Sequence, residues 1–570
     1  MSGHTRRGKC RLSIPVGLAL VGMMVLPLSA ATWIGADGSF TNGVNWDTGQ
    51  VPSGGASAVI ANGGTARFDG DTVAVGAFGL GNVAGSFGAF NMTAGLFSNA
   101  TFRVGEGIAS EGSAEQSGGS IFQLGGGHVE GAVSVGYATN SIGHYTLSGG
   151  ALTANNGTFH IGSYGTGTFV QAGGTVTGRN WMVMARYPGS AGDYTMTGGV
   201  LEQVGSTLGV VVGEQGVGTL TVSQGGTVNI AGSLAISGGS APENYQGTGV
   251  VNLCTGGTIL TPLIRRNRGS SATFNFDGGV LRARGENATL DTFMQGLSAA
   301  NVLAGGAIID SGNNDVTIQQ GLNDGGGGLT KWGPGSLTLA GANTYAGQTA
   351  VNEGFLAAMT PDALPGYDQN GKVTVASGAG LAVGVDGWSA TEIDALLANV
   401  AFGTGCFFGF DTSLGDAVIN TDLGQSFGLL KTGAHTLTLT GNNSYTGGTR
   451  IRRGILQADF GAGLPSTTAV VLDGGTLASV DATTIAAVLG TGAGQISVAP
   501  NRPAGFSAVG APLTVDLGGA GATLDWGSAL FSPAPLLLND SGADRALAFV
   551  NGLDIRGAVR EIRVNAALPD

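Results

Sequence analysis

Residues 328–356 read GLTKWGPGSLTLAGANTYAGQTAVNEGFL, and residues 428–456 repeat the pattern as GLLKTGAHTLTLTGNNSYTGGTRIRRGIL without an insertion. The shared positions are these pairs: Lys331 and Lys431, Gly333 and Gly433, Leu337 and Leu437, Leu339 and Leu439, Gly341 and Gly441, Asn343 and Asn443, Tyr345 and Tyr445, Gly347 and Gly447, Thr349 and Thr449, Gly354 and Gly454, Leu356 and Leu456. Apolar residues two apart lie on one face of a strand, and glycine permits turns that are closed to residues with a Cβ. Each copy therefore predicts a strand–turn–strand unit with one buried face.

A unit of this kind cannot bury its apolar face alone, so it must stack on neighbouring units, and such stacking defines a solenoid. The composition also indicates a folded chain. Glycine accounts for 108 of the 570 residues, but there is no three-residue glycine period and proline occurs only 16 times, which excludes collagen. Hydrophobic residues make up 42% and charged residues 11%, so the surplus of charge that keeps chains disordered is missing.

The two copies resemble the autotransporter-associated β-strand repeat, also called the passenger-associated transport repeat. The residues that carry the resemblance follow the pattern G-L-T-K, L-T-L, G-x-N-x-Y-x-G-x-T and G-x-L, and they cover about a tenth of the chain. The second copy departs from the pattern at Leu430, Ala434 and Arg450. The resemblance implies a secreted or surface-exposed β-helical passenger.

A second, looser repeat runs from about residue 87 to residue 281 and is marked by Gly-Gly steps. The first glycines of these steps are Gly118, Gly149, Gly173, Gly198, Gly225, Gly256 and Gly278. An aliphatic residue follows each step: Ile121, Leu152, Val176, Leu201, Val228, Ile259 and Leu281. Aromatic residues precede several steps, at Tyr145, Phe169, Tyr194 and Phe274, and a third apolar set comprises Val104, Val135, Ile161 and Val212. Three apolar sites per repeat predict two or three strands per coil, with like residues stacked in ladders.

Residues 1–31 have the composition of a signal peptide. The basic start is formed by Arg6, Arg7, Lys9 and Arg11. An apolar run at 14–28 and the small residues of 29–31 follow. The run is too short to span a bilayer comfortably, so we expect cleavage and export, and no integral membrane segment in the mature chain.

The remaining chain divides by pattern into four predicted segments: 32–86, an N-terminal capping segment; 87–310, a β-solenoid with Gly-Gly repeats; 311–458, a β-solenoid with the two copies at 328–356 and 428–456; and 459–570, a β-rich segment without the alternating strands of an outer-membrane barrel. Trp33 and Trp46 are expected to cover the first coil, because an open sheet edge is a template for aggregation.

Helical spacing of apolar residues predicts short peripheral helices at 287–298, at 389–400 and at 482–489. The second of these begins with Ser389 and has Glu392 three residues later, which is a capping box. The predicted fold class is therefore all-β, a parallel β-helix or solenoid with short peripheral helices. Roughly 22 coils at a spacing of about 4.8 Å would make a rod on the order of 100 Å long.

Parallel β-helices also carry polysaccharide lyases and hydrolases, which need clustered carboxylates with an arginine or lysine nearby. The densest acidic stretch runs from Asp310 to Asp315 and is followed by Asp324. Its Asp-Ser-Gly-Asn-Asn-Asp sequence is also that of an ordinary turn, which is the interpretation we favour. A surface groove joining Asp310 or Asp315 to an arginine would favour the enzyme.

The other chemically distinctive residues do not predict a site. The histidines of the chain outside the leader are His128, His144, His160 and His435, and the spacing of 16 between the first three does not match the coil period, so no metal site is expected. Two basic clusters, Arg265, Arg266, Arg268 and Arg450, Arg452, Arg453, are interpreted as solvated loop charges. A net charge of −13 argues against a nucleic-acid surface. Cys254 and Cys406 are predicted to be free, buried thiols, several coils apart.

Taken with the resemblance, these patterns predict a secreted or cell-surface β-solenoid with a structural or adhesive role, no catalytic, cofactor-binding or metal-binding residues, and surface glycans or extracellular matrix as candidate partners. The alternative is a polysaccharide-active enzyme on the same fold.

Overall fold

The chain folds as a parallel β-solenoid of about 21 turns, with 48% of the residues that the structure describes in strands and 3% in helices. The computed structural model describes residues 30–124, 131–205, 209–239, 246–424, 426–519 and 521–565. Every pairing between the strands of these ranges is parallel, as expected when each coil stacks on the one before it. The predicted fold class is confirmed.

Most strands belong to two long sheets, and a third sheet takes over from the second near the C-terminus. Sheet 1 contains Ala31–Thr32, Ala58–Ile60, Ala77–Leu80, Thr101–Val104, Val133–Val135, Phe159–Ile161, Met182–Met184, Val210–Val212, Leu234–Ile236, Ile264–Arg266, Thr289–Gln295, Asp315–Ile318, Ser336–Leu339, Phe355–Ala358, Gly380–Gly384, Phe407–Asp411, Gly428–Thr432, Thr449–Ile451, Val470–Leu472, Thr484–Leu489, Gln495–Val498, Leu513–Leu517 and Leu547–Phe549. Sheet 2 contains Asp37–Ser39, Thr65–Ala74, Phe87–Asn99, Glu111–Gln116, Ser120–Gln123, Ile142–Leu147, Ala151–Ala154, Thr166–Gln171, Thr175–Gly178, Ala191–Met196, Val200–Gln203, Val217–Val222, Thr227–Ile230, Thr248–Cys254, Thr258–Thr261, Ser271–Asp277, Val280–Ala283, Ala299–Leu303, Ala307–Asp310, Asn323–Gly325, Leu329–Trp332, Thr349–Val351, Val373–Val375 and Ala401–Phe402. Sheet 3 contains Ala417–Ile419, Thr436–Leu439, Ile455–Gln457, Thr476–Ala478, Ala504–Phe506, Leu536–Leu538 and Ile562–Val564, and Thr523–Asp525 pairs with Gly552–Asp554.

A coil has three strands in the first part of the chain and two in the repeats. In a typical early coil, Ile142–Leu147 and Ala151–Ala154 lie in sheet 2 and Phe159–Ile161 lies in sheet 1. In the first copy of the repeat, Thr349–Val351 lies in sheet 2 and Phe355–Ala358 in sheet 1. The prediction of two or three strands per coil is confirmed.

The apolar residues that follow the Gly-Gly steps form one continuous ladder inside the solenoid. Successive members pair directly across the strands in the order Ile121, Leu152, Val176, Leu201, Val228, Ile259, Leu281 and Ile309. Each of these side chains is at most 1% exposed. Burying an aliphatic side chain contributes about 1.5–3 kcal/mol, so the ladder is a main source of stability.

Each copy of the repeat builds two consecutive rungs that stack on each other, rather than one strand–turn–strand unit. Leu329–Trp332 pairs with Thr349–Val351 in sheet 2, and Ser336–Leu339 pairs with Phe355–Ala358 in sheet 1. Leu337 therefore lies directly over Leu356. The repeat is long because it specifies the contact between two rungs as well as the rungs themselves.

One of the three predicted helices is confirmed. The α-helix Ala390–Asn399 begins after Ser389, whose side chain and that of Glu392 complete the capping box in both directions. The predictions for 287–298 and 482–489 are wrong, because these segments contain the strands Thr289–Gln295 and Thr484–Leu489. Two 3-10 turns, Gly43–Asn45 and Pro361–Ala363, are the other helical elements of the described residues.

The first coil is filled with aromatic side chains. Trp33 and Trp46 are at most 1% exposed, their rings meet edge to face at 5.2 Å, and Phe40 packs against Trp46 at 4.9 Å. Ala31 already belongs to the first strand, whereas residues 1–29 of the predicted signal peptide lie outside the described residues. The segment boundaries predicted from the sequence stay predictions.

The solenoid bends back on itself. In sheet 1, six successive pairings separate the strands Asp315–Ile318 and Thr449–Ile451, a distance of about 29 Å in a flat sheet. Nevertheless, Nη2 of Arg452, the residue after the second strand, donates to Asp315 Oδ1 at 2.8 Å. We call residues 30–358 the first arm, residues 428–565 the second arm and the segment between them the bend. The arms touch, so the predicted straight rod is wrong although the number of coils is close.

The outer face of sheet 1 is apolar and closely packed at the bend, where Ala357, Ala382 and Gly409 are neighbours across three strands. Phe355, Ala357, Ala382 and Leu430 form a separate apolar cluster there. A Cβ added to Gly409 would lie 1.7 Å from the carbonyl oxygen of Leu430, so only glycine fits at that position. Because both faces of the sheet are buried in this region, its strands lack the alternation of buried and exposed residues typical of a solvent-facing sheet.

A cluster of charges, which we call the clasp, joins the arms: Arg452, Arg502, Asp315 and Asp473. Arg452 Nη1 donates to Asp473 Oδ2 at 2.9 Å, and Arg502 Nη1 donates to Asp315 Oδ2 at 3.4 Å. Arg452 is only 3% exposed. Burial alone would raise the pKa of Asp315, but the guanidinium groups of Arg452 and Arg502 outweigh it and hold the pKa below its ordinary value.

The clasp corrects the interpretation of the second basic cluster. Arg450 and Arg452 are not solvated loop charges, since they lie in and just after the strand Thr449–Ile451 and their side chains are largely buried in ion pairs. Arg453, with the same side-chain exposure of 32% as Arg450, pairs with Asp291 of the first arm at 3.1 Å. In the first cluster, Arg265 and Arg266 also lie in a strand rather than a loop.

Both cysteines are free, as predicted. Cys406 is buried, but Cys254 is half-buried, which corrects the second half of that prediction. Cys254 ends a strand in which Leu253 points into the core, so the next side chain points outward.

Candidate functional site

The lysine of each repeat is buried and binds three carbonyl groups. Lys331 Nζ donates to the carbonyl oxygens of Trp332, Gly333 and Glu353 at 2.9, 2.6 and 3.0 Å. Lys431 Nζ repeats the arrangement on Thr432, Gly433 and Arg453 at 2.8, 2.9 and 2.9 Å. Each lysine therefore ties the turn of one rung to the turn of the next, because the third carbonyl belongs to the following coil.

The asparagine of each repeat joins three coils. Asn343 Oδ1 accepts from the backbone N–H of Leu322 at 2.8 Å, and its Nδ2 donates to the carbonyl of Ala363 at 2.7 Å. Asn443 bridges Leu423 and Gly463 in the same way, with both distances 2.7 Å. The polar positions shared by the two copies are thus structural, and they explain why the pattern requires these residue types.

Burial lowers the pKa of Lys331 and of Lys431 to about 7. An unfolded lysine keeps its proton up to about pH 10.4, so between pH 7 and that value the unfolded chain binds more protons and stability increases with pH. We expect a gain of up to about 2 kcal/mol per lysine between pH 7 and 9. This gain is measured by hydrogen exchange in peptides from 328–356 and 428–456, after correction for the intrinsic exchange rates.

A chain carrying Lys331→Met and Lys431→Met should lose this pH dependence in both repeats. Peptides from the early coils, where no buried lysine is present among the described residues, are the internal control. An unchanged pH profile in the double variant would show that other groups cause the effect.

An open pocket of about 440 Å³ lies on the outer face of sheet 2, beside the first copy of the repeat. We call it the Trp332 pocket. Arg282, Asp310 and Trp332 occupy one outward column of three neighbouring strands, and Asn313 and Glu353 contribute from the adjoining turns. It combines an aromatic ring with groups of both charges and is therefore the candidate binding site.

The charged groups of the pocket are held in place. Arg282 Nε lies 3.3 Å from Asp310 Oδ2, and Asp310 Oδ1 accepts from the backbone N–H of Gly312 at 2.7 Å. The Arg282 side chain remains 51% exposed, and Trp332 is 45% exposed. The Asp310 carboxylate is thus held by Arg282 and the backbone of Gly312, while the guanidinium of Arg282 and the indole of Trp332 face the solvent.

The structure separates the acidic residues named from the sequence. Asp310 ends a strand of sheet 2 and Asp315 begins a strand of sheet 1, with the predicted turn between them. Each aspartate meets an arginine, Asp310 with Arg282 on sheet 2 and Asp315 with Arg452 at sheet 1. The open pocket that joins Asp310 to Arg282 is the kind of groove that the enzyme alternative requires. Backbone N–H groups of a turn lower the pKa of Asp324, which supports the turn interpretation there. No pair of carboxylates suited to acid–base chemistry is formed by these three residues.

The histidines are likewise apart. His144 lies in sheet 2, and His160 lies in sheet 1, where its Nδ1 is 2.9 Å from Ser163 Oγ. His435 is 3.9 Å from Asp416 in the second arm, and His128 lies outside the described residues. In the described part of the chain, no group of three histidine, cysteine, aspartate or glutamate side chains is placed to hold a metal ion. None of the helices in these residues has the length and apolar character needed to cross a bilayer.

Trp332 differs between the two copies of the repeat. The two copies share the residues that bind the neighbouring rungs, such as Lys331 and Asn343. They differ at Trp332 and Glu353, which correspond to Thr432 and Arg453. The first copy exposes a large aromatic side chain on sheet 2 at this position, whereas the corresponding Thr432 is buried on sheet 1.

The chain was compared with known proteins. The family model of the passenger-associated transport repeat matches residues 329–358 and 429–458. The chain is similar to the protein named Adhesin BmaC autotransporter, from Brucella suis biovar 1 (strain 1330), with 29% identity over 313 residues. The match covers 46% of this chain and only 8% of that relative's length. No solved structure matches the chain. The chain therefore carries two passenger-associated transport repeats, which are built into a parallel β-solenoid.

Proposed function

We propose that the chain is an exported, passenger-like β-solenoid that acts at the cell surface or outside the cell by adhesion, without catalysis. The observation that carries this proposal is the pair of passenger-associated transport repeats, each folded as two stacked rungs of a continuous solenoid. The similarity to a protein named as an autotransporter adhesin supports the adhesive role.

The proposed mechanism is mechanical. Backbone hydrogen bonds run along the solenoid axis and the apolar ladders stiffen it, while the outward side chains offer a long polar surface. Part of this surface is a chain of amides in which Asn275, Asn301 and Asn323 each donate to the preceding asparagine, beginning with Asn252, at 2.8, 2.9 and 3.3 Å. Such a regular surface suits repeated weak contacts, which gain strength by multivalency.

The adhesive role is tested with the full chain immobilised on inert beads. We expect the beads to be retained on surface glycans or extracellular-matrix proteins, and beads coated with heat-denatured chain to wash off. Equal retention of beads coated with native and with denatured chain would contradict the adhesive role. Incubation with neutral and uronic polysaccharides should release no new reducing or unsaturated ends, since catalysis is not part of the proposed role.

Export is tested separately. The full chain produced in a bacterium should lose the mass of residues 1–31 and leave the cytoplasm, because that segment has a signal-peptide pattern. Replacing Leu20 and Val25 with arginine interrupts its apolar run and should keep the chain inside the cell. Export of this variant at the normal rate would contradict the proposed route.

A further inference from the structure

The Trp332 pocket has features that the solenoid itself does not need. Apart from Pro334, the other exposed residues of the first copy are small or polar. The second copy keeps the two-rung fold with Thr432, which is buried in sheet 1, in place of Trp332. An indole that is 45% exposed keeps an apolar face in water, which costs free energy. A ligand that covers this face would recover that free energy.

The polar groups beside the indole are both donors and acceptors. Asp310 offers carboxylate oxygens, Arg282 offers N–H groups in a fixed plane, and Asn313 offers an amide that is exposed in its turn. A sugar ring carries the complementary set, because its hydroxyl groups donate and accept hydrogen bonds while its C–H face is apolar. The column of Trp332 and Asp310 on neighbouring strands places these two kinds of contact about 4.8 Å apart.

The charge of the pocket selects among sugars. Among the described residues that line the pocket, Arg282 is a cation and Asp310 and Glu353 are anions, so the net charge of the lining is −1. This net negative charge would repel a sulfated or uronic sugar, because Arg282 already pairs with Asp310 at 3.3 Å. A neutral sugar is not repelled by this charge. The volume of about 440 Å³ falls in the range of small-ligand pockets and suits one or two rings.

We propose that the Trp332 pocket binds a neutral hexose unit of a glycan, with the indole of Trp332 stacked on the sugar and with Asp310 and Arg282 bonded to its hydroxyl groups. The inference names a ligand class for the adhesive role proposed above and rests on it for its biological purpose. The binding event itself requires only the pocket.

The experiment measures the binding of the full chain to immobilised oligosaccharides that end in glucose, galactose or mannose, together with sulfated and uronic counterparts. We expect binding to at least one neutral probe, with a change in tryptophan fluorescence. Trp332→Ala should weaken this binding at least about tenfold, as is typical when an aromatic residue that a partner covers is truncated. Asp310→Asn should weaken it too, and Trp332→Phe should retain part of it.

Tyr164→Ala is the matched control, because Tyr164 is 43% exposed and lies in a turn outside the pocket. This variant should bind the sugar as the unchanged chain does. Circular dichroism and hydrogen exchange establish that each variant keeps the solenoid. Binding that survives Trp332→Ala, binding to acidic probes alone, or no binding to any neutral probe would each overturn the proposal.

The sugar-binding and bead-adhesion experiments together distinguish a failure of the sugar site from a failure of the adhesive role. If Trp332→Ala abolishes sugar binding while the beads still adhere to matrix proteins, the sugar site stands and adhesion uses another surface. If the neutral sugar binds but native beads adhere no better than denatured ones, the sugar site stands and the adhesive role fails. If native beads adhere and no neutral sugar binds, the adhesive role stands and the sugar site fails.

Discussion

Replacing Arg452 with methionine is expected to separate the two arms of the solenoid. The change leaves the carboxylates of Asp315 and Asp473 buried without their main partner, and breaking a buried ion pair from one side typically costs about 3–5 kcal/mol. Two cations remain: Arg502 lies 3.4 and 3.5 Å from Asp315 and Asp473, and Arg450 lies 3.7 Å from Asp473. Asp315 therefore keeps only its longer contact with Arg502. Small-angle scattering should show a larger radius of gyration, because the second arm loses its attachment to the first.

Arg453→Met provides the control for this prediction. Arg453 also connects the arms, but its side chain and that of Asp291 are 32% and 60% exposed, so the pair contributes at most about 1 kcal/mol. This variant should keep the radius of gyration of the unchanged chain. Identical scattering curves for Arg452→Met and Arg453→Met would show that the clasp does not hold the two arms together.

Acid should open the arms in the same way. The folded-state pKa of Asp315 lies below its ordinary value, so the stability that this carboxylate contributes is present above about pH 4 and is lost as the pH falls through the lowered pKa. The scattering of the unchanged chain should approach that of Arg452→Met below this pH. The variant itself should respond less to acid, because its clasp is already broken.

The stacking of the coils was predictable from the sequence, but the bend was not. The ladder from Ile121 to Leu281 is set by the Gly-Gly steps, since each step fixes where the next strand starts and therefore which residue points inward. The capping box at Ser389 is also local, so its helix was found. The contact of Asp315 with Arg452 joins residues 137 positions apart and depends on the curvature of an entire sheet.

The two false helices have local explanations. In the strand Thr289–Gln295 the register shifts between Leu290 and Met294, so that its apolar residues lose the period of two and acquire a helix-like spacing. The segment Thr484–Leu489 is rich in alanine, a good helix former, but it pairs with Leu513–Leu517, and tertiary pairing overrides propensity.

The signal that would have revealed the bend is a column of small residues on the outward face of sheet 1. Ala357, Ala382 and Gly409 are direct neighbours across three strands, at positions where an ordinary solenoid carries polar side chains. Leu430 continues the column and Arg450 follows it. Small and apolar residues on an outward face indicate that another part of the protein packs on that face. In this chain the second arm packs on the outward face of sheet 1.

The glycine that closes each repeat should be intolerant of any side chain. Gly354 has φ +66°, and a Cβ at this position would lie 2.3 Å from the carbonyl oxygen of Gly335 and 2.4 Å from that of Gly333. The left-handed backbone costs alanine about 1–2 kcal/mol, and overpacking adds about 1–3 kcal/mol. Gly354→Ala should therefore destabilise the first repeat by about 2–5 kcal/mol, measured as faster hydrogen exchange in peptides from 328–358.

Gly371 separates the two contributions, since it has nearly the same φ, +71°, but no atom within 4 Å of an added Cβ. Gly371→Ala should cost only the backbone term of about 1–2 kcal/mol. Gly454 has φ +65° and carbonyl oxygens at 2.5 and 2.6 Å, so Gly454→Ala should behave as Gly354→Ala does, with its effect in the second repeat. Equal losses at Gly354 and Gly371 would mean that backbone conformation, and not the contact between rungs, selects glycine at the end of the repeat.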